Sequence, residues 1–433
     1  LTFTAADWET PQTVTVTGVD DDVDDGDQDV DVSFTVTSAD TDYSSLTPAA
    51  LAFVNADDAD TAGITASAAS PMHTTETGTP LSTFTVELDS EPTADVTIDV
   101  VSSNTDEITV DPTQLTFTAA DWDVAQTVTA TGVNDDVDDD DQVVNVSLTV
   151  TSNDAKYDGT ALDDRILLND DDDTAGITVT PTSGLTTDEA GATAVFSVQL
   201  DSEPTADVTI PVASTDTSEG TVSTAQLTFP AGDWDTAQAV TVTGVNDDID
   251  DGNVGYTIDL GPVASDDPNY AGISINDVLV TNTDDDVAGF SVTPTSIVTT
   301  ESGGAATVSI VLQSEPVGNV VFDVTSSEAT EATPDVPTVT FTPTDWDSSQ
   351  TVSITGQDDD TADGNQEYDI TFSLNGALTA DAVYAGLSAQ DVSGANVDDE
   401  IPGLIVDPLS GLVTGEDGTV DTFDVSLRTA PAA

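Results

Sequence analysis

Cysteine is absent from this 433-residue chain, so no disulfide holds it together. For an extracellular protein, that leaves bound ions or large cores as the stabilising devices. One histidine (His73), read as a loop residue, and no cysteine leave little acid–base or nucleophilic machinery, which argues against an enzyme. Lysine and arginine together number three against 84 acidic residues, a formal net charge of -81. Nucleic acid and anionic membrane surfaces are excluded as partners, because both are held by basic patches. No apolar run approaches the length of a membrane span. No signal-peptide pattern appears among these residues, which begin in mid-pattern with "LTFTAADW", as expected of a piece of a longer chain.

Aspartate dominates what is there. Only 15 of the 84 acids are glutamate, the better helix former, whereas aspartate favours turns and caps. The acid therefore belongs to loops, as ligand-type oxygen. Hydrophobic residues make up 37% and alternate with Thr, Ser and Asp. That is the pattern of half-buried strands rather than of a disordered coil.

The pattern repeats. Trp8, Trp122, Trp234 and Trp346 are spaced by 114, 112 and 112 residues, each in a "DW" pair. "TAGI", "TAGI", "VAGF" and "IPGL" recur at the same period, as do "LDSEPTADVTI", "LDSEPTADVTI" and "LQSEPVGNVVF". The chain divides into three whole units, 63–175, 176–288 and 289–402. Residues 1–62 are the back part of a unit and 403–433 the front part of another, which reads as a window cut from a longer array. A subunit whose ends complement a neighbour's is the alternative. In the unit 176–288 about seven short strands are expected, bounded by Gly, Pro, Asp and Ser, so an all-β antiparallel sandwich is predicted. One tryptophan per unit, at the start of a strand, reads as a core anchor.

Each unit carries three acidic groups far apart in sequence. A glutamate follows the first strand: Glu76, Glu189, Glu301 and, in the last partial unit, Glu416. A loop follows a later strand, with Asp135, Asp136 and Asp139, then Asp247, Asp248 and Asp251, then Asp358, Asp359, Asp360 and Asp363. A closing run ends the unit: "NDDDD", "NTDDD" and "NVDDE". Asn104, Asp216 and Glu328 stand at matching positions after the third strand. Loops of a sandwich gather at its two ends, so these groups are expected to converge at one tip. Carboxylates about 4 Å apart repel by on the order of 1–4 kcal/mol per pair, and a bound hard dication reverses that sign. Calcium takes 6–8 oxygen ligands in flexible geometry, whereas magnesium prefers few carboxylates and zinc wants His or Cys. The reading set against it is a solvated acidic surface adapted to high salt. The helix–loop–helix calcium pattern and the glycine-rich β-roll nonapeptide both fail to fit.

A front-strand Glu, a "DDD-x-x-D" loop after a strand and a closing "DDD" together resemble the Calx-beta domain. That is the calcium-binding sandwich of sodium–calcium exchangers and an integrin, found also in large bacterial surface proteins. The resemblance implies an immunoglobulin-like sandwich with several calcium ions at one tip. It implies ligands Glu76, Asn104, Asp135, Asp136, Asp139, Asp171, Asp172 and Asp173 in the first whole unit. In the second they are Glu189, Asp216, Asp247, Asp248, Asp251, Asp284, Asp285 and Asp286. In the third they are Glu301, Glu328, Asp358, Asp359, Asp363, Asp398, Asp399 and Glu400. Where the family often has further Glu late in the loop, this chain has Gln142, Val254 or Gln366. The insert "TSNDAKYDGTALDD", with Lys156 and Arg165 at or beside it, receives no role.

The expected function is structural: an extracellular stalk or filament of sandwiches, stiffened by calcium and joined end to end, as in the extender of a cell-surface adhesin. Strand rise suggests about 40 Å per unit. The alternative is a carbohydrate- or ice-binding surface built on Thr-rich strand faces.

Overall fold

The computed structural model describes residues 1–67 and 72–431. The protein is all-β, a tandem array of antiparallel β-sandwiches of immunoglobulin type. Among the described residues, helix is confined to one turn at Thr41–Ser44 and two 3-10 turns at Ala231–Asp233 and Tyr384–Gly386.

Residues 176–288 show the plan. One sheet runs in the order Ile177–Thr180, Thr193–Leu200, Gln238–Gly244, Gly220–Val222. The other runs Leu185–Asp188, Val278–Thr283, Val254–Leu260, Val208–Ser214, Gln226–Phe229, with Ala264–Ser265 beside Val208–Ser214. The first order is that of immunoglobulin strands A, B, E and D, and the core of the second is G, F and C. One feature departs from the standard order: the extra strand beside C, Gln226–Phe229, comes after the D-like strand rather than before it. The same two orders recur within 63–175 and within 289–402.

Alternation explains the layers. In Thr193–Leu200, the side chains of Ala194, Phe196, Val198 and Leu200 are buried and their neighbours are not. The period of two puts one face on the core. Three separate hydrophobic clusters result, drawn from within 62–167, 175–280 and 288–392. The end pieces form one two-stranded ribbon each, Gln28–Val32 with Leu51–Asn55 and Leu404–Asp407 with Asp424–Leu427. With no second sheet over them, Phe3, Trp8, Phe53 and Phe423 stand exposed.

Tryptophan does not occupy the core centre. Trp122, Trp234 and Trp346 are half-buried at its edge. The central anchors are Tyr157, Tyr270 and Tyr384, each 1% exposed. Each Tyr hydroxyl donates to the carbonyl of Ser90, Ser202 or Ser314 at 2.6–2.7 Å. A tyrosine can do this because one end of its ring is apolar and the other polar. The insert therefore has a role: it carries this tyrosine and braces the "SEP" turn. Asp154, Asp267 and Asp381 in the insert accept from the backbone N–H of Thr93, Thr205 and Val317 in that turn at 2.7–2.9 Å.

His73 lies on a strand, Met72–Thr75, not in a loop. Its Nδ1 is 3.2 Å from Asp170 Oδ1. Arg165 opens the strand Arg165–Asp170.

Candidate metal centre

One parallel strand pair creates the site. Leu185–Asp188 runs parallel to Val278–Thr283 with Asp188 opposite Thr283. The next residues, Glu189 and Asp284, therefore leave the sheet side by side, and Glu189 N–H donates to the Thr283 carbonyl at 3.2 Å. The same register brings Glu76 to Asp171 and Glu301 to Asp398. The long separation in sequence, over 90 residues, is closed by this pairing alone.

A buried asparagine at the end of the last strand fixes the second group. Asn282 Oδ1 accepts from Thr187 Oγ1 at 2.9 Å, and its Nδ2 donates to Glu219 Oε2 and the Val245 carbonyl at 3.3 and 3.1 Å. Asn169 does the same with Thr74, Glu107 and Val133. Gly244, which ends the strand before the acidic loop, lies so close to the Asp188 carbonyl and Asn282 Oδ1 that a Cβ there would collide with both.

The acidic loop is folded by its own carboxylates. Asp247 Oδ1 accepts from Ile249 N–H at 2.8 Å, an Asx turn repeated at Asp135 with Val137 and at Asp359 with Thr361. Gly252 N–H donates to Asp284 Oδ2 at 2.7 Å, and Gly364 to Asp398 likewise, so loop and closing run are joined. Both glycines have positive φ, as does Gly26; in the unit 63–175 that position is Asp140, the one described non-glycine residue with positive φ, at 61°.

The result is a set of carboxylate groups whose oxygens lie within 4.8 Å of one another: Glu76, Asp171 and Asp173; Glu189, Asp284 and Asp286; Glu301, Asp399 and Glu400; and Glu219, Asp247 and Asp251. Glu76, Glu189 and Glu301 are 2, 4 and 1% exposed. Glu76 Oε2, Asp139 Oδ1, Glu301 Oε2 and Glu400 Oε2 are buried without a hydrogen-bond partner. Burying unpaired oxygen is costly. The electrostatics follow: burial, then the neighbouring acids, push the carboxyls of Glu76, Glu189 and Glu301 up from 4.5 to about 7. For Glu76 the neighbours are Asp135, Asp171, Glu107 and Asp139; for Glu189 they are Asp284, Asp247 and Asp286, with the Asp285 N–H opposing. Asp173 and Asp286 are raised too, by burial and then by Asp136 and Asp248. An all-oxygen donor set with orphaned buried carboxylate atoms suits a hard divalent cation.

The structure brings part of the expected ligand set together at the tip and leaves other members apart. Asp172 and Asp285, the middle residues of their closing runs, are exposed and outside the groups, as are Asp136 and Asp248. Asn104 and Asp216 shape turns instead: their side-chain oxygens accept from Asp106 N–H and Ser218 N–H. Glu328 likewise serves through its backbone carbonyl, which takes the N–H groups of Glu331 and Ala332. The residue turned to the site lies three positions later, Glu107 or Glu219, 6% exposed in both cases. In the third unit the expected pair Asp358 and Asp359 stands one residue early: Asp358 takes the place of Asn134 and Asn246, and Asp359 and Asp360 match Asp247 and Asp248. Asp363 lies at the expected position but is exposed. Asp57, Asp58 and Asp60 form a further group that the sequence reading omitted. Glu416 is exposed.

No family model matches the chain, and no curated protein matches it. Among solved structures, the calcium-binding domain CBD12 of CALX1.1 aligns with 48% of this chain and 97% of its own, at 16% identity and a TM-score of 0.27. Domains 4 and 5 of the S-layer protein SbsC align with 43% of this chain and 77% of their own, at 16% identity and a TM-score of 0.21. A three-immunoglobulin-domain titin structure aligns with 75% of this chain and 94% of its own, at 12% identity and a TM-score of 0.22.

Proposed function

We propose that this chain is part of an extracellular stalk or filament, the extender region of a cell-surface adhesin, whose β-sandwich repeats are stiffened by calcium at the tips where they meet. The repeats are 63–175, 176–288 and 289–402, with partial repeats at 1–62 and 403–433. The observation that carries the reading is the row of near-fully buried glutamates, Glu76, Glu189 and Glu301, each set against the closing carboxylates. Burying such groups together at neutral pH costs stability unless a proton or a cation offsets their repulsion, and a cation does so with the carboxylates ionised. Glu189, Asp284 and Asp286 would hold one ion, and Glu219, Asp247 and Asp251 a second. Calcium would supply no chemistry beyond fixing the tip. The role is mechanical rather than catalytic. No helix among the described residues is long and apolar enough to cross a membrane.

Thermal unfolding at fixed ionic strength tests this, with calcium, magnesium, sodium or a chelator in turn. A Tm raised by calcium and matched by neither magnesium nor sodium supports it, since a ligand that binds only the folded state stabilises by mass action. Equal rescue by plain sodium chloride would instead assign the acid to salt adaptation.

A further inference from the structure

Each repeat meets the acidic loop of the repeat before it through two positions, a backbone arm and a side-chain arm. The first arm is the same at every junction. The "SEP" turn presents a backbone N–H, from Glu91, Glu203 or Glu315, to the carbonyl of Asp22, Asp136 or Asp248 in the preceding loop, at 2.8, 2.5 and 2.6 Å. The C-terminal piece repeats it with Ala430 N–H on the Asp360 carbonyl at 2.6 Å.

The second arm differs from junction to junction. It is the residue just ahead of the buried tyrosine in the insert. Lys156 Nζ donates to Asp24 Oδ1 at 2.6 Å. Asn269 Nδ2 donates to the Asp138 carbonyl at 2.5 Å. Asp24 and Asp138 are equivalent loop positions, since Oδ2 of each takes the linker N–H of Ala62 or Ala175. At the third junction the residue is Val383, 48% exposed, with no polar side-chain group to offer Asp250. The arm is rigid in all three repeats, because the adjacent tyrosine hydroxyl and the insert aspartate both tie it to the "SEP" turn.

We infer that the residue preceding the buried tyrosine sets the stiffness of each inter-repeat junction, graded from Lys156 through Asn269 to Val383, so that the junction between 176–288 and 289–402 is the hinge of the array. One of the three basic residues in a chain of net charge -81 is thus spent on a contact between repeats. The Lys156–Asp24 contact is partly exposed, so its contribution falls with salt; the Asn269 amide contact carries no such dependence. The grading concerns protein–protein contacts alone and holds whether or not an ion occupies the tip.

The absence of native cysteine makes the test direct. Spin labels are placed on the full chain at equivalent exposed strand positions, Thr116→Cys with Thr228→Cys across the second junction and Thr228→Cys with Thr340→Cys across the third. Distance distributions are recorded by pulsed electron–electron resonance in chelator, which separates this question from ion binding. The third junction should give the broader distribution. Removing one hydrogen bond shifts a docked-to-undocked ratio about fivefold, so Asn269→Ala should broaden the second junction toward the width of the third, and Val383→Asn should narrow the third. Asn269→Lys should keep the second junction narrow at low salt and broaden it as salt rises. Equal widths at the two junctions, or no change on Asn269→Ala, would overturn the inference. Asn269, Val383 and the three label positions all stand at the surface, outside the cores and the acid groups.

Discussion

At the scale of single residues, the tip is a set of acids that fit poorly on their own. Glu189 illustrates it. Its carboxyl is raised to about 7 in the folded chain against 4.5 for an ordinary glutamate, by burial first and then by Asp284, Asp247 and Asp286. A raised folded-state value means the folded chain holds the proton more tightly than the unfolded one. The associated stability is fully present below pH 4.5 and is lost as pH rises through about 7. Metal-free protein should therefore show a falling urea midpoint from pH 5 to 7.5, and saturating calcium should reverse that slope, because the ligands bind deprotonated. Glu189→Gln should raise the metal-free midpoint and weaken calcium binding at that tip by tenfold or more, about 1.4 kcal/mol; calorimetric titration beside urea unfolding reads both. Asp140 offers a different check. Its φ of 61° lies in the left-handed region, where glycine at this position elsewhere in the chain has φ of 71, 75 and 81°. Asp140→Gly should stabilise the repeat by up to about 1 kcal/mol in urea unfolding by removing Cβ strain.

At the scale of elements, the short parallel strand decides the site, and it was the hardest to read. Long strands such as Thr193–Leu200 and Gln238–Gly244 announce themselves by alternation. Leu185–Asp188 is "LTTD", one apolar residue in four, and Gly220–Val222 is three residues long. A period of two needs more residues than that to show. The third-strand glutamates were missed for a related reason. Glu219 has no acidic neighbour in sequence and Glu107 only Asp106, and the turn-forming Asn104 and Asp216 nearby drew the ligand reading instead. A signal was present: Glu107, Glu219 and Glu331 recur 112 residues apart. The acid loop was legible because its crowding has no structural excuse, whereas the one-residue shift at Asp358 was not, because three aspartates in a row hide their own register. Gly244 tests the element-level account. Gly244→Ala pushes a methyl toward the Asp188 carbonyl, so it should cost about 1–3 kcal/mol, as overpacking does, and lower calcium affinity by displacing Glu189. Urea unfolding and calcium titration of the variant check it.

At the scale of the whole molecule, three small cores are strung in series and joined by acid loops. Each loop faces two ways. Asp136 raises its own tip's Asp173 through its charge, while its carbonyl takes the N–H of Glu203 in the next repeat. Whatever fixes the loop also fixes the neighbour, so on the proposed reading an ion bound at a tip would stiffen the chain. The most direct measurement is a crystal structure grown with calcium, with anomalous data collected at long wavelength. The account predicts anomalous peaks among Glu76, Asp171 and Asp173, among Glu189, Asp284 and Asp286, and among Glu301, Asp399 and Glu400, with oxygens at about 2.3–2.6 Å. Well-ordered tips with no such peaks, and with those carboxylates turned out to water, would contradict it.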